Sequence, residues 1–288
     1  MPRPIPVLLR VKLLLQALRQ ARRPKNNRYI SLRKVSCAVG KTCRKVAMQL
    51  QSSPVDSLLQ LDWSPLWISL ATSVTATLIT FVAGLAAAAW RERHQGAAMA
   101  LVDGFFLLPL VLPPTVVGFF LLLLFGRNGP LGRLLLRFGA TIVFSWPATV
   151  IAATVVAFPL MYITARAALE QVDPHFLQAA RTLGASEWRV FREVALPLAW
   201  PGVLAGTILS FARAIGEFGA TLMLAGNIPG KTATIPIAIY FAVESDDLQH
   251  AIAWCLVDVT ISLALLGGLY YWTRSQAARA SSSRWGRG

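Results

Sequence analysis

Residues 141–165 read TIVFSWPATVIAATVVAFPLMYITA, 25 residues without one charged side chain. A hydrocarbon core of about 30 Å is crossed by about 20 helical residues at 1.5 Å each, so this stretch alone can span a bilayer. Working outward, residues 66–89 are equally free of charge. So are residues 104–126, which run into the loop GRNGPLG at 126–132. Residues 201–225 are apolar apart from Arg213 and Glu217, and residues 252–272 apart from Asp258. Residues 234–243 are apolar but too short to cross, and read as an interfacial or re-entrant piece. The expected fold is an all-α membrane protein with about five spans, because a bilayer admits only helices and closed barrels.

Composition agrees. Over 288 residues, 55% are hydrophobic and 14% charged, against about 25% charged in ordinary soluble domains. The net charge of +15 does not indicate nucleic acid. Of 28 Lys and Arg, 13 fall between Arg3 and Lys45, and no acid precedes Asp56. Residues 1–60 therefore read as a basic extension, 61–273 as the membrane domain and 274–288 as a short basic tail. Residues 7–18 within the extension have the pattern of a basic amphipathic helix, as in an organelle transit peptide. On that reading the chain belongs in a chloroplast envelope. A start at Met48, with a bacterial inner membrane as the location, is the favoured expectation; a solvated tail at the membrane surface is the third.

Orientation follows the excess of basic residues in inner loops. Ten arginines (91, 93, 166, 181, 189, 192, 274, 279, 284, 287) fall on one side, against Arg127, Arg133, Arg137 and Lys231 on the other. This places the C-terminus and the 170–197 loop inside. Trp63, Trp67, Trp90, Trp146, Trp200, Trp254 and Trp272 fall near predicted span ends, as an aromatic belt requires.

Several leads close. A phosphate loop needs a glycine five positions before its second one, but Val35 precedes Gly40-Lys41-Thr42 there and Ala225 precedes Gly230-Lys231-Thr232. Cys37, Cys43 and Cys255 form no disulfide framework or zinc set, and His94, His175 and His250 lie on separate loops without metal-ligand spacing. No catalytic residue and no metal site is expected.

The inner loop is patterned as a helix. Asp173 followed by Pro174 reads as an N-cap with proline at the first helical position, opening a run to Leu183. Gly184 breaks it, and Ser186 caps a second run to Val194. Leu177, Ala180, Leu183 and Gly184 fall on one face, which predicts a docking surface.

Gln178-Ala179-Ala180, three residues, Gly184, nine residues, Val194, one residue, Leu196-Pro197 is similar to the E-A-A-x3-G-x9-I-x-L-P motif of the membrane subunits of binding-protein-dependent ABC importers, with Gln178 for Glu and Val194 for Ile. The resemblance implies the type I ABC importer permease fold. In that fold Gln178, Ala179, Ala180, Arg181, Leu183, Gly184, Ala185 and Pro197 belong to a cytoplasmic coupling helix that seats in an ATPase subunit. It also implies a second copy of the chain, two ATP-binding cassette subunits carrying ATP and Mg, an extracytoplasmic binding protein, and surrounding lipid. No cofactor is expected on this chain. The stretches PLVLPPT at 109–115 and GRNGPLG at 126–132 resemble the molybdate permease subgroup of that family. The stretch FARAIGEFGA at 211–220 is similar in sulfate permeases too. Molybdate is thus the expected substrate, with sulfate, thiosulfate or tungstate as alternatives. A self-sufficient channel or secondary transporter is the rival from another class, and a membrane-embedded enzyme the most remote.

Pro113 and Pro114 remove two backbone donors and should break the second span, a break tolerated beside protein or water. With Thr115, Arg213, Glu217 and Gly219 they are the candidate translocation-path residues. Arg213 and Glu217 are four apart and read as a structural or gating pair. Small residues recur every fourth position at Thr72, Ala76, Thr80, Gly84 and Ala88, and at Gly202, Gly206, Ser210 and Ala214. Both stripes suit close helix contact, within the subunit or between two copies.

Overall fold

The structure, a computed structural model, describes residues 62–94 and 96–285. The basic extension, the Met48 start, Cys37, Cys43 and the Gly40-Lys41-Thr42 run lie outside the described residues, and so does the end of the basic tail. Among the described residues the fold is helical throughout, without strands. The helices are α1 Ser64–Arg93, α2 Ala97–Val111, α3 Pro114–Phe125, α4 Pro130–Arg137 and α5 Trp146–Glu170. They continue as α6 Pro174–Thr182, α7 Glu187–Val190, α8 Leu196–Ile215, α9 Gly219–Ala225, α10 Ile235–Glu244 and α11 Leu248–Trp285. Four of the described helices are long and apolar enough to cross a membrane, and the bent pair α2–α3 makes five if it is one span.

The chain forms two compact units. In the smaller one, residues 238–257, Asp247 caps the start of α11 by accepting from the His250 amide at 3.2 Å and pairing with His250 Nδ1 at 2.7 Å. The larger, Trp63–Ile237 with the chain after residue 257, contains every candidate site residue.

Inside the larger unit α5 is the central helix, packed by α1 on one side and α8 on another. Both small-residue stripes face it. A side chain at Gly84 would meet Met161 at 2.8 Å, and Gly202 and Gly206 lie against Ala168 and Thr164. The two stripes therefore serve packing within one subunit. In lipid, helix contact comes from such close approach and from interhelical hydrogen bonds, which contribute about 0.6 kcal/mol each. Here a hydroxyl seam supplies them. Thr72 Oγ1 and Thr149 Oγ1 are 3.0 Å apart, Trp146 Nε1 donates to Thr72 Oγ1 at 3.1 Å, and the Ile235 amide donates to Ser69 Oγ at 2.8 Å.

The second span is broken where its two prolines are expected to break it, α2 and α3 meeting at 112°, and two other spans differ from their expected bounds. A residue before proline is driven out of the helical region, and here two successive residues are, Leu112 at ψ 142° and Pro113 at ψ 136°. The third begins at Trp146, not Thr141, because Pro147 opens it and the residues before it form a turn, with Ile142 and Val143 packed against the core of α3, α5 and α9. Phe144 takes φ 61°, and its amide donates to Leu224 O at 3.2 Å. The fourth covers Glu187–Ile215 and stops at Gly216, leaving α9 as a separate helix. Trp200 consequently sits mid-span rather than at an end, edge-on to Phe81 at 6.4 Å.

That fourth span contains a π-helical turn, Phe191–Ala195, where the Leu196 amide donates five residues back to Phe191 O. Pro197 has no amide to continue the i→i−4 ladder, and one wider turn accommodates the loss. The second helix of the inner loop is thus continuous with a membrane span.

Candidate functional site

Residues 173–187 fold into a tight hairpin of α6 and the start of α7. Asp173 Oδ1 accepts from the His175 amide at 2.9 Å, and Pro174 occupies the first turn. At the other end the Gly184 amide donates to Arg181 O at 2.9 Å and the Ala185 amide to Ala180 O at 3.1 Å. This paired pattern requires a left-handed residue, which Gly184 supplies at φ 80°. Arg181 and Glu187 then clamp the turn through Nε–Oε1 at 2.8 Å and Nη2–Oε2 at 3.2 Å. The Glu187 carboxylate holds the Arg181 guanidinium above its ordinary pKa.

The hairpin is a surface feature, and its apolar face differs from the expected one. Leu177 and Ala180 turn partly inward, Leu177 against the core of α5 and α8. The outward apolar side chains are Phe176, Leu183 and Trp188, at 57%, 89% and 65% exposure. Phe176, Ala179 and Leu183 fit i, i+3, i+7 spacing one position round from the predicted face. Gln178, Ala179, Arg181 and Gly184 are exposed with them, and Ala185 is half-buried. Pro197 stands apart, in the first turn of α8.

The candidate path residues form a second group. Pro113, Pro114 and Thr115 are exposed at the α2–α3 break. Gly219 is buried against it: a side chain there would meet Pro114 Cβ and the Thr115 amide nitrogen at 3.1 Å. One turn on, a side chain at Gly118 would come within 2.7 Å of Ala220 Cα. Glu217 lies just past the end of α8, its side chain only 1% exposed. Its Oε1 accepts from the Ala220 amide at 2.8 Å and so holds the start of α9. Arg213 Nη1 is 2.8 Å from Glu217 Oε2, an ion pair whose angles fall outside hydrogen-bond alignment. Isolated charges at membrane depth cost several kcal/mol, so this pairing is what the site requires.

A third constellation carries no sequence signal of its own. Asp103 on α2 receives Arg91 Nε of α1 at 3.1 Å to both oxygens, Arg166 Nη1 of α5 at 2.8 Å, and the Tyr162 hydroxyl of α5. Its partners lie 12, 63 and 59 residues away. The usable hint was that Asp103 is the only acid in residues 93–169. Beside it a cavity of about 540 Å³ is lined by Arg91, Arg166 and Glu170 and by Leu177 and Arg181 of the hairpin.

The remaining motifs are structural. Gly230-Lys231-Thr232 is a turn in which Thr232 Oγ1 accepts from the Ile228 amide at 2.9 Å and donates to Gly226 O at 3.2 Å. No group of His, Cys, Asp and Glu suited to a metal occurs among the described residues.

Among the described residues, four or five apolar helices long enough to cross a membrane, one broken by prolines and one extended from a surface hairpin, define a multi-pass helical membrane protein. The chain belongs to the binding-protein-dependent transport system inner membrane component family, whose pattern matches residues 60–280. It is 45% identical over 205 residues to the putative molybdenum transport system permease protein YvgM of Bacillus subtilis (strain 168), covering 71% of this chain and 90% of that protein. To the molybdenum transport system permease protein ModB of Escherichia coli (strain K12) it is 44% identical over 207 residues, again 71% and 90% of the two chains. Its fold matches a chain of the inward-facing MetNI methionine ABC transporter with a TM-score of 0.59, at 19% identity, over 78% of this chain and 99% of that one.

Proposed function

We propose that this chain is the permease subunit of an ABC importer for molybdate, in a bacterial inner membrane. Residues 61–273 are the transport domain, flanked by the basic extension 1–60 and the tail 274–288. The subunit works as a homodimer with two ATP-binding cassette subunits, which carry the ATP and Mg, and receives its oxyanion from an extracytoplasmic binding protein. The observation that carries this reading is the identity shared with two molybdenum permeases over nine-tenths of their length.

The hairpin is the coupling segment: Gln178 to Ala185, with Phe176 just before them, present Phe176 and Leu183 to a groove of the ATPase subunit. Because α7 continues into the span ending at Ile215, displacement of the hairpin moves a transmembrane helix directly. Pro197 and the π turn set how that displacement enters α8. Pro113, Pro114, Thr115 and Gly219 border the path, and the Arg213–Glu217 pair fixes the α8–α9 corner as a gate. With Arg213 committed to Glu217, the path holds a dianion weakly, which is what release requires; selectivity is left to the binding protein.

The test is uptake of labelled molybdate into proteoliposomes containing this chain, its ATPase subunit and its binding protein. Uptake should require ATP and the binding protein, and excess sulfate should compete poorly. Oxyanion flux through the chain alone would favour the channel or secondary-transporter reading and sink this one. Equal competition by sulfate would change the substrate and leave the machine.

A further inference from the structure

Asp103 stands at a junction between the two candidate sites. Towards the hairpin, Arg166 takes its carboxylate at 2.8 Å and donates from Nε to Glu170 Oε1 at 2.7 Å, three residues before the Asp173 cap of α6. Towards the break, Asp103 lies on α2, which continues with Pro109 inside it to Val111, a helical rise of about 12 Å. Side-chain bonds thus join Glu170, at the end of α5, to α2, and only the short turn 171–173 separates Glu170 from the hairpin.

Apolar packing already attaches α2 to α5. Phe106 is edge-on to Tyr162 at 5.1 Å and to Phe158 at 5.4 Å. The carboxylate adds direction, because charge-assisted hydrogen bonds resist rotation and sliding where ring contacts permit both. The neighbouring cavity separates the end of α1, at Ala89 and Arg91, from α6, at Leu177 and Arg181. The hairpin therefore has room to move relative to α1 while Arg166 keeps α5 fixed to α2.

We propose that Asp103 is a positioning residue that delivers movement of the coupling hairpin, through Arg166, to the Pro113–Pro114 break. This rests on reading α6 as the coupling segment. The experiment is Asp103→Asn in the complete complex with its ATPase subunit and binding protein, read as ATP hydrolysed per molybdate imported. The complex should assemble and hydrolyse ATP, and the ratio should rise at least about tenfold, within the usual range of coupling between sites. Arg166→Gln should raise it comparably, and the double variant no further than the larger single one, because both cut one linkage. Arg91→Gln leaves the Asp103–Arg166 bond intact and should change the ratio less than about threefold, below that same range.

Import and hydrolysis falling in proportion would overturn the proposal, and so would unimpaired import. If Asp103→Asn does not assemble, Arg166→Gln decides; failure of both to assemble would make the cluster scaffolding and also overturn it. The wild-type complex separates this from failure of the underlying reading. A wild-type chain that binds no ATPase subunit, or imports without one, refutes the coupling segment itself.

Discussion

The chain reverses direction by opposite means at the α2–α3 break and at the α6–α7 hairpin. The break has lost its own donors: two prolines interrupt the ladder, and Leu112 and Pro113 are extended. It depends on neighbours, and its α3 side is pressed onto α9 at Gly118 and Gly219. The hairpin satisfies itself through the Asp173 cap, the paired carbonyl bonds at Gly184 and the Arg181–Glu187 clamp. Its backbone ends are satisfied within the hairpin itself, and Phe176, Leu183 and Trp188 are left outward. A turn held together by its own atoms can be handed to a partner and moved as a unit. A turn held by its surroundings changes shape when they do.

The comparison can be broken most severely at Gly118→Leu. The new side chain would start 2.7 Å from the Ala220 backbone, and overpacking of this kind costs about 1–3 kcal/mol or more. The fraction recovered monodisperse in detergent should collapse; recovery equal to wild type would mean that α3 does not depend on α9. Next in size is Gly184→Asp, which puts a carboxylate on the proposed docking face. It should leave the chain in the membrane and abolish ATPase association in a pull-down, whereas Gly184→Asn, tolerated in left-handed backbone, should retain association. Equal loss in both would assign the effect to backbone strain rather than docking.

Pro113→Ala combined with Pro114→Ala restores both donors and should let α2 and α3 straighten. Spin labels on the two helices should move apart, and molybdate import should fall about tenfold while assembly persists, a loss typical of a broken coupling between sites. Unchanged import would reduce the break to an ordinary kink. The smallest effect belongs to Arg181→Gln. An exposed ion pair contributes about 0.2–1 kcal/mol and is screened by salt, so ATPase association should weaken less than about fivefold, with the difference shrinking at high ionic strength. A larger, salt-independent loss would show that Arg181 itself contacts the partner.

Much of this could be read in the sequence because it is decided locally. Charge-free runs locate α1 closely and α5 with its start and end each five residues early, Asp173 and Pro174 mark the start of α6, and Gly184 its end. Leu177 and Leu183 look alike along the chain, yet Leu183 is exposed and Leu177 is half-buried. Only the packing of α6 against α5 and α8 turns Leu177 inward. The fourth span was placed too late for a related reason: Gly216 ends α8, but an apolar run on both sides of it conceals the stop.

The amino-acid order by itself determined that this is a helical membrane protein with a self-capped hairpin and a proline-broken span. Hydropathy, missing amide protons and left-handed glycine act over a few bonds, so they need no knowledge of the fold. Only the tertiary structure decided that Asp103 gathers Arg91, Tyr162 and Arg166, that both small-residue stripes are spent on α5, and that α3 leaves the break at 112° towards α9. Those outcomes depend on which helices end up adjacent, a balance of many weak contacts between residues far apart in the chain.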